Sequence, residues 1–328
     1  MNANSLKPIG IFYEHPVWFT PLFEELEWRK IPYVKINAAQ HFYNPSETES
    51  PYSLVINRMS SSAYLRGNTQ GIFHAANFLD HLERLGVPTV NGAAAQRIES
   101  SKAKQLSLLT SLDIRYPRTK VVNHVSQVLP AAKSLRFPVV VKVNIGGSGA
   151  GIVRFDTAEG LQKSIDAQEV NLGIDHSALV QEYIEPAEKH IIRIETLNGK
   201  FLYAIKVHTT GETFNLCPAE LCQVPALDDA QACLTDAPKK GIQVEGYTPP
   251  PLYVETAERI FQAAGIDVGG VEYLVGRDGE AYFYDINALS NFVADAVNVV
   301  GFNPYKKLVD YIEYRLKKQD QPQPATRL

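Results

Sequence analysis

Apolar residues recur along the chain with two periods, near two and near 3.6 residues, and the switches between them mark out its elements. Pro8 to Tyr13 reads as a first strand, and Phe19, Leu22, Phe23 and Leu26 recur at helical spacing within Trp18 to Lys30. Strands follow at Pro32–Ile36 and Leu54–Asn57. Thr69 to Leu85 predicts a helix that stops at Gly86, and Val87–Val90 a short strand. Strands alternating with helices predict a parallel, doubly wound sheet, here a first α/β domain over residues 1–100.

Beyond it the pattern predicts a helix from about Glu99 to Leu112, whose start, Ser100-Ser101-Lys102, offers an N-cap serine and then a lysine, a strand at Thr119–Val122 and a helix near Ser126–Leu135. The strand Phe137–Val143 runs into a glycine-rich stretch, Asn144–Gly151, and a strand at Ile152–Phe155. A helix at Thr157–Ile165 and a strand at Ala178–Ile184 follow, with Pro186 closing the latter. His190–Leu197 and Lys200–His208 make a hairpin through Asn198-Gly199, a dipeptide suited to the tightest hairpin turns. Residues 211–246 read as irregular. A helix at Pro251–Ala264 leads to a second hairpin, Val268–Val275 and Ala281–Asn287, joined at Arg277-Asp278-Gly279. Asn303-Pro304 starts a last helix, Tyr305–Leu316, and 318–328 reads as a flexible polar tail.

Composition narrows the function classes. A chain of 328 residues with net charge −4 gives no electrostatic reason to expect nucleic acid or an anionic membrane as partner. Three cysteines, Cys217, Cys222 and Cys233, favour neither a disulfide framework nor a zinc site. No apolar run approaches membrane-span length and the start, MNANSLKPIG, lacks a signal-peptide core, so a cytoplasmic, reduced setting is the expectation.

Chemistry-bearing residues stand out where the pattern should be apolar. Glu272 lies in the first strand of the second hairpin. Asp285 and Asn287 alternate in the second strand, on one face together with Phe283. Two carboxylates and a carboxamide are hard oxygen donors, a set suited to Mg²⁺ shared with substrate phosphates. The ordinary alternative is a lysine partner for Glu272 and a strand end for Asp285. Lys142 sits in a run of valines, where an ammonium is costly unless an anion meets it. The glycines after it allow close backbone approach to phosphates, but no GK[ST] or following helix makes them a Walker loop. Arg193 and Lys206 are again cations inside strands. At the carboxyl ends of the first-domain strands, where open α/β sheets bind ligands, stand His15 and Arg58. Arg58 could clamp a substrate carboxylate, with a surface salt bridge as its alternative; Arg66 is a more distant option.

This order of features resembles an ATP-grasp enzyme, most closely the carboxylate–amine ligases related to RimK-type glutamate ligases and glutathione synthetase. The resemblance covers nearly the whole chain. It implies a pre-ATP-grasp domain (1–100), a central α+β lobe (101–185) and a C-terminal α+β lobe (186–317) that grip ATP between them. Lys102 and Lys142 match lysines that touch ATP phosphates, and Gly146, Gly147, Ser148, Gly149 and Gly151 the flexible phosphate loop. Gln181, Glu182, Tyr183 and Ile184 match the adenine-binding hinge, with Glu188, or Glu185, on the ribose. Arg193 matches the arginine facing the transferred phosphate, Asn215 an asparagine near the nucleotide, and Lys206 joins this nucleotide-binding set. Glu272, Asp285 and Asn287 match the Mg²⁺ ligands, with Mn²⁺ as an alternative ion. Asp285 replaces the family's usual glutamate. The loop Ala288-Leu289-Ser290-Asn291 departs from the family's small-residue and Pro-Gly ending, so Ser290 and Asn291 become substrate-contact candidates.

The activity implied is ATP-dependent amide-bond formation between a small carboxylate and an amine, amino-acid or peptide-like, through an acyl phosphate. A catalytically silent ATP-binding regulator and a kinase of a small carboxylate are the competing readings. Relatives often form dimers through the first domain, which the sequence itself does not reveal.

Overall fold

Three sheets organise the protein, seen in a computed structural model that describes residues 7–147, 149–208 and 243–319. In chain order the strands and helices are β1 (Ile9–Tyr13), α1 (Thr20–Trp28), β2 (Tyr33–Asn37), β3 (Val55–Arg58), α2 (Thr69–Arg84), β4 (Thr89–Val90), α3 (Ala93–Glu99) and α4 (Lys102–Ser111). Then come β5 (Thr119–Val122), α5 (Val128–Lys133), β6 (Val139–Val143), β7 (Ile152–Phe155), α6 (Ala158–Asp166) and β8 (Ala178–Glu182). The rest is β9 (His190–Leu197), β10 (Lys200–His208), β11 (Val244–Tyr247), α7 (Pro251–Ala264), β12 (Val268–Val275), β13 (Ala281–Asn287), α8 (Ala296–Val300) and α9 (Pro304–Gln319).

The first sheet is parallel, in the order β2-β1-β3-β4. Its central strands are buried on both faces, as a parallel sheet between helices requires. Ile9 and Ile11 of β1, with Leu54 and Ile56, point to one core, while Phe12 and Val55 point to the other, against Ile72, Phe78 and Leu79 of α2. The second sheet, β5-β8-β6-β7, and the third, β11-β10-β9-β12-β13, are antiparallel. One face of the second sheet packs on α5 and α6 through Val139, Val141, Val180 and Leu161.

Cores cross the boundaries between sheets. Ile9, Phe19 and Leu26 of the first unit share one cluster with Ile191, Ile205, Val268 and Leu274 of the third sheet and with Leu308 and Ile312 of α9. The opposite face of the third sheet packs on α3, α4 and α7 through Ile192, Val271, Phe283, Leu106 and Phe261. Truncating Phe19, fully buried, to alanine would cost about 3–5 kcal/mol by this packing alone.

Several expectations need correction. The helix expected from about Glu99 starts at Lys102, with the expected serine cap: Ser101 is extended and accepts the Lys104 N–H, while Ser100 bonds back to the Gln96 carbonyl at the end of α3. Residues 244–247, expected to be irregular, form edge strand β11 on β10. The hairpin at Asn198-Gly199 has positive φ at both residues, 54° and 68°, the geometry that dipeptide favours. Among the described residues no helix is long and apolar enough to cross a membrane.

Candidate active site

The β12–β13 hairpin sets Glu272 directly across from Asp285 and Gly270 across from Asn287. The register then slips, from Glu272–Asp285 to Tyr273–Phe283, so Tyr284 is an extra, bulged residue. Strict alternation placed Phe283 with Asp285. The bulge instead turns Phe283 to the other face, where it stacks on Tyr273 at 5.0 Å and shares a core with Ile286. Asp285 and Asn287 stay together, the Asn287 amide donating to the Asp285 carboxylate at 3.2 Å.

Cations converge on these acids from three elements. Lys102, the first residue of α4, pairs with Asp285. Arg193 lies across from Glu272 on β9, and its Nη1 donates to Glu272 Oε1 at 3.0 Å. Lys142, buried in β6, lies within electrostatic reach of Lys102, Asp285 and Glu272. The side chain of Asn144, two residues after Lys142, brings the lysines together. Its Oδ1 accepts from the Ala103 N–H at 2.9 Å and from Ser101 Oγ at 3.1 Å, and its backbone carbonyl accepts from Lys102. Asn144 escapes a sequence reading because its targets lie some forty residues away; the only local signal is an amide beside the valine–lysine strand.

The electrostatics follow. Burial raises the Glu272 carboxyl above its ordinary range, and the Asp285 charge adds to the rise against Arg193 and Lys102. Burial also works to raise Asp285, but the Lys102 ammonium outweighs it and leaves Asp285 low. Burial, then the Lys102 charge, bring Lys142 down to about 7. Two adjacent acids, one paired with an ammonium and one with a guanidinium, fit a hard divalent ion bound by Glu272, Asp285 and Asn287 with further oxygens from a phosphate. Among the described residues no cluster of three His, Cys, Asp or Glu could hold a metal, so the amide oxygen is part of any such set.

The glycine-rich turn lies against the first domain. A side chain at Gly147 would meet Ser62 at 3.1 Å, and Gly149 and Gly151 both have φ of +72°. Ser148 and Asn215 lie outside the described residues. At the expected hinge the Gln181 amide donates to Thr119 at 2.7 Å, and Glu182 accepts from Arg118 and from the Arg136 N–H. Arg154 lies 4.4 Å over the Tyr183 ring, and Ile184 is half-buried against the first core.

Other expected residues do not join the cluster. Lys206 sits across from Ile192, on the sheet face opposite Arg193 and Glu272, near Glu245 and the Tyr247 ring. Glu188 meets His190, and Glu185 meets Arg277. His15 stacks on Trp18 at 3.9 Å and accepts the Val17 and Trp18 N–H groups; burial, then Arg66, hold it neutral down to about 3. Arg66 is taken by Glu14. Arg58 makes no surface salt bridge: it is fully buried over Phe19 and donates to the Ser290 carbonyl. The Ser290 hydroxyl accepts from the Phe292 N–H, and Asn291 Oδ1 has no hydrogen-bond partner among the described residues.

Comparison with known proteins points to one group. A family model for the RimK-like ATP-grasp domain matches residues 99–217. A probable alpha-L-glutamate ligase of Shewanella loihica is 27% identical over 237 residues, covering 68% of this chain and 75% of the relative. Another, from Pseudoalteromonas atlantica, is 28% identical over 164 residues, half of this chain and 51% of its own length. Thus the chain spans only about half of that relative. Among solved structures, an ATP-grasp RimK domain protein from Sphaerobacter thermophilus superposes with TM-score 0.64 at 18% identity, covering 93% of this chain and 99% of its own. The ATP-grasp ligase PsnB, complexed with a variant of its minimal precursor, Mg and ADP, gives 0.66 at 13%, covering 95% and 99%.

Proposed function

We propose that this chain, which is similar to RimK-like ATP-grasp proteins in sequence over residues 99–217 and in fold, joins a carboxylate to an amine, converting ATP to ADP and phosphate. The observation that carries this reading is the convergence of Lys102, Lys142 and Arg193 on Glu272, Asp285 and Asn287. A carboxylate resists amines because its leaving group is oxide. Transfer of the γ-phosphoryl group from ATP to the carboxylate gives an acyl phosphate and ADP; the amine then attacks the acyl carbon and phosphate leaves. Phosphoryl transfer demands positioning and charge neutralisation more than a protein nucleophile.

In this scheme Lys142 and Lys102 neutralise the phosphates and Arg193 meets the transferred group. Mg²⁺ held by Glu272, Asp285 and Asn287 would add Lewis-acid charge at the phosphates. Gly146 to Gly151 close over the nucleotide and exclude water, which would otherwise hydrolyse the acyl phosphate. Gln181 to Ile184 border the adenine. The proposed units are 1–100, 101–185 and 186–317. The acceptor side is proposed to lie near Arg58, Ser290 and Asn291, where the first unit meets the loop after β13. The substrates proposed are small, amino-acid or peptide-like, in keeping with the relatives' names as glutamate ligases.

Incubation with ATP, Mg²⁺ and pools of amino acids should release ADP only when an acceptor amine is present. Lys142→Ala and Asp285→Ala should each abolish that release with the circular dichroism spectrum unchanged. Full activity in either variant would overturn the assignment, and a phosphorylated acid accumulating without amine would make the protein a kinase.

A further inference from the structure

Arg193 lies in a seat made by residues to which the scheme above gives no part. Glu195 follows two positions later on β9, on the same face, and its Oε1 accepts from Arg193 Nε at 2.6 Å. Gly270 of β12 is in register with Glu195. A Cβ at Gly270 would fall 2.6 Å from Arg193 Nη2 and 2.6 Å from Glu195 Oε1. Gly270 has no positive φ, so close approach of the guanidinium, not backbone conformation, is what requires glycine there. Glu195 is 1% exposed, and a carboxylate so buried needs compensating cations. One is Arg193. Another is Arg58 from β3, itself 1% exposed and within electrostatic reach of Glu195.

We propose that Glu195 is the positioning residue for Arg193, with Gly270 as a wall of the same seat. Among the described residues Arg193 meets two carboxylates, Glu272 on Nη1 and Glu195 on Nε. Glu272 is also an ion ligand in the scheme above. When Glu272 serves the ion, Glu195 is the anchor that keeps the guanidinium at its reach and in its plane. A group that neutralises charge in a transition state works best when it is held before the charge develops. What Arg193 does rests on the ligase reading; how it is held does not.

The experiment therefore has two readouts. The first needs no turnover: hydrogen exchange of the Arg193 Nε–H, followed by ¹⁵N NMR and assigned by its loss in Arg193→Lys. Glu195→Gln and Gly270→Ala should each speed that exchange at least about tenfold, as expected when a protecting bond is lost; unchanged exchange in both overturns the inference. The second is a double-mutant cycle on amine-dependent ADP release. Glu195→Gln should lower kcat at least about thirtyfold with KM for ATP within about twofold, and cost less than about twofold in the Arg193→Lys background. Equal losses in both backgrounds would show that Glu195 acts on folding or elsewhere, and would also overturn it. Should Glu195→Gln not fold, Glu195→Asp and Gly270→Ala take the same measurements. If the wild-type protein releases no ADP with any acid and amine, the ligase reading fails and the exchange measurement alone decides this inference.

Discussion

Lys142 is buried at the end of a valine strand, and its ammonium is held only loosely charged, near 7, by burial and by Lys102. A bound phosphate favours the charged form and raises this value. The sign follows: free Lys142 loses its proton as pH rises through about 7, whereas the nucleotide complex retains it. Binding of an ATP analogue must then take up a proton above neutrality, and affinity must fall as pH rises from neutrality to alkaline conditions. Titration calorimetry at pH 8 in buffers of different ionisation enthalpy should show uptake approaching about one proton. Lys142→Met should bind more weakly and show none of this dependence; identical buffer dependence in the variant would assign the proton to another group.

At the scale of elements, the side chain of Asn91, held at φ of 56° just past β4, ties the first unit to the β12–β13 hairpin through four hydrogen bonds. Its Oδ1 accepts the Asp267 and Val268 N–H groups at 2.8 and 3.1 Å, and its Nδ2 donates to the Val268 and Ala288 carbonyls at 2.7 and 2.6 Å. Asn91→Ala leaves several of these buried groups unpaired, at about 1–3 kcal/mol each, so a loss of about 3 kcal/mol or more is expected in urea unfolding. The exposed Lys163→Ala on α6 should stay within about 0.5 kcal/mol of wild type. An Asn91→Ala loss no larger than that would mean water replaces the lost bonds. This contrast also marks what the sequence could reveal. Asn198-Gly199 and Asp278-Gly279 announce their hairpins because turn chemistry is local. Lys142 and Glu272 stand out because a charge in an apolar strand is anomalous without partners. The bulge at Tyr284 and the roles of Asn91 and Asn144 depend on partners far along the chain, so no window of neighbouring residues contains them. Lys206 misled for a related reason: its strand position is plain, but the face it takes is set by pairing with β9 and β11.

At the scale of the whole molecule, the proposed nucleotide site is assembled from separate elements: Lys142 comes from the second sheet, Glu272, Asp285 and Arg193 from the third, and Lys102 from the start of α4, ahead of the second sheet in the chain. The two lysines lie close enough to repel, and Asp285 and Glu272 offset them, with Glu99 also acting on Lys102. A triphosphate adds negative charge beside the lysines, and a divalent ion adds positive charge beside the acids, so each relieves the repulsion the other would create. Their effects on stability should exceed the sum of each alone. A non-hydrolysable ATP analogue with Mg²⁺, at about a hundred times its Kd, should add about 2.7 kcal/mol to the unfolding free energy. The analogue with EDTA, or Mg²⁺ without nucleotide, should add far less. Glu272→Gln is the sharpest control, because Arg193 keeps Glu195 as a carboxylate partner and the unliganded protein should remain folded. That variant should retain the increment seen with analogue and EDTA but lose the further increment from Mg²⁺. If Mg²⁺ still strengthened nucleotide binding in Glu272→Gln as in wild type, the ion would have to be held by other groups, and the β12–β13 hairpin would lose its place at the centre of the site.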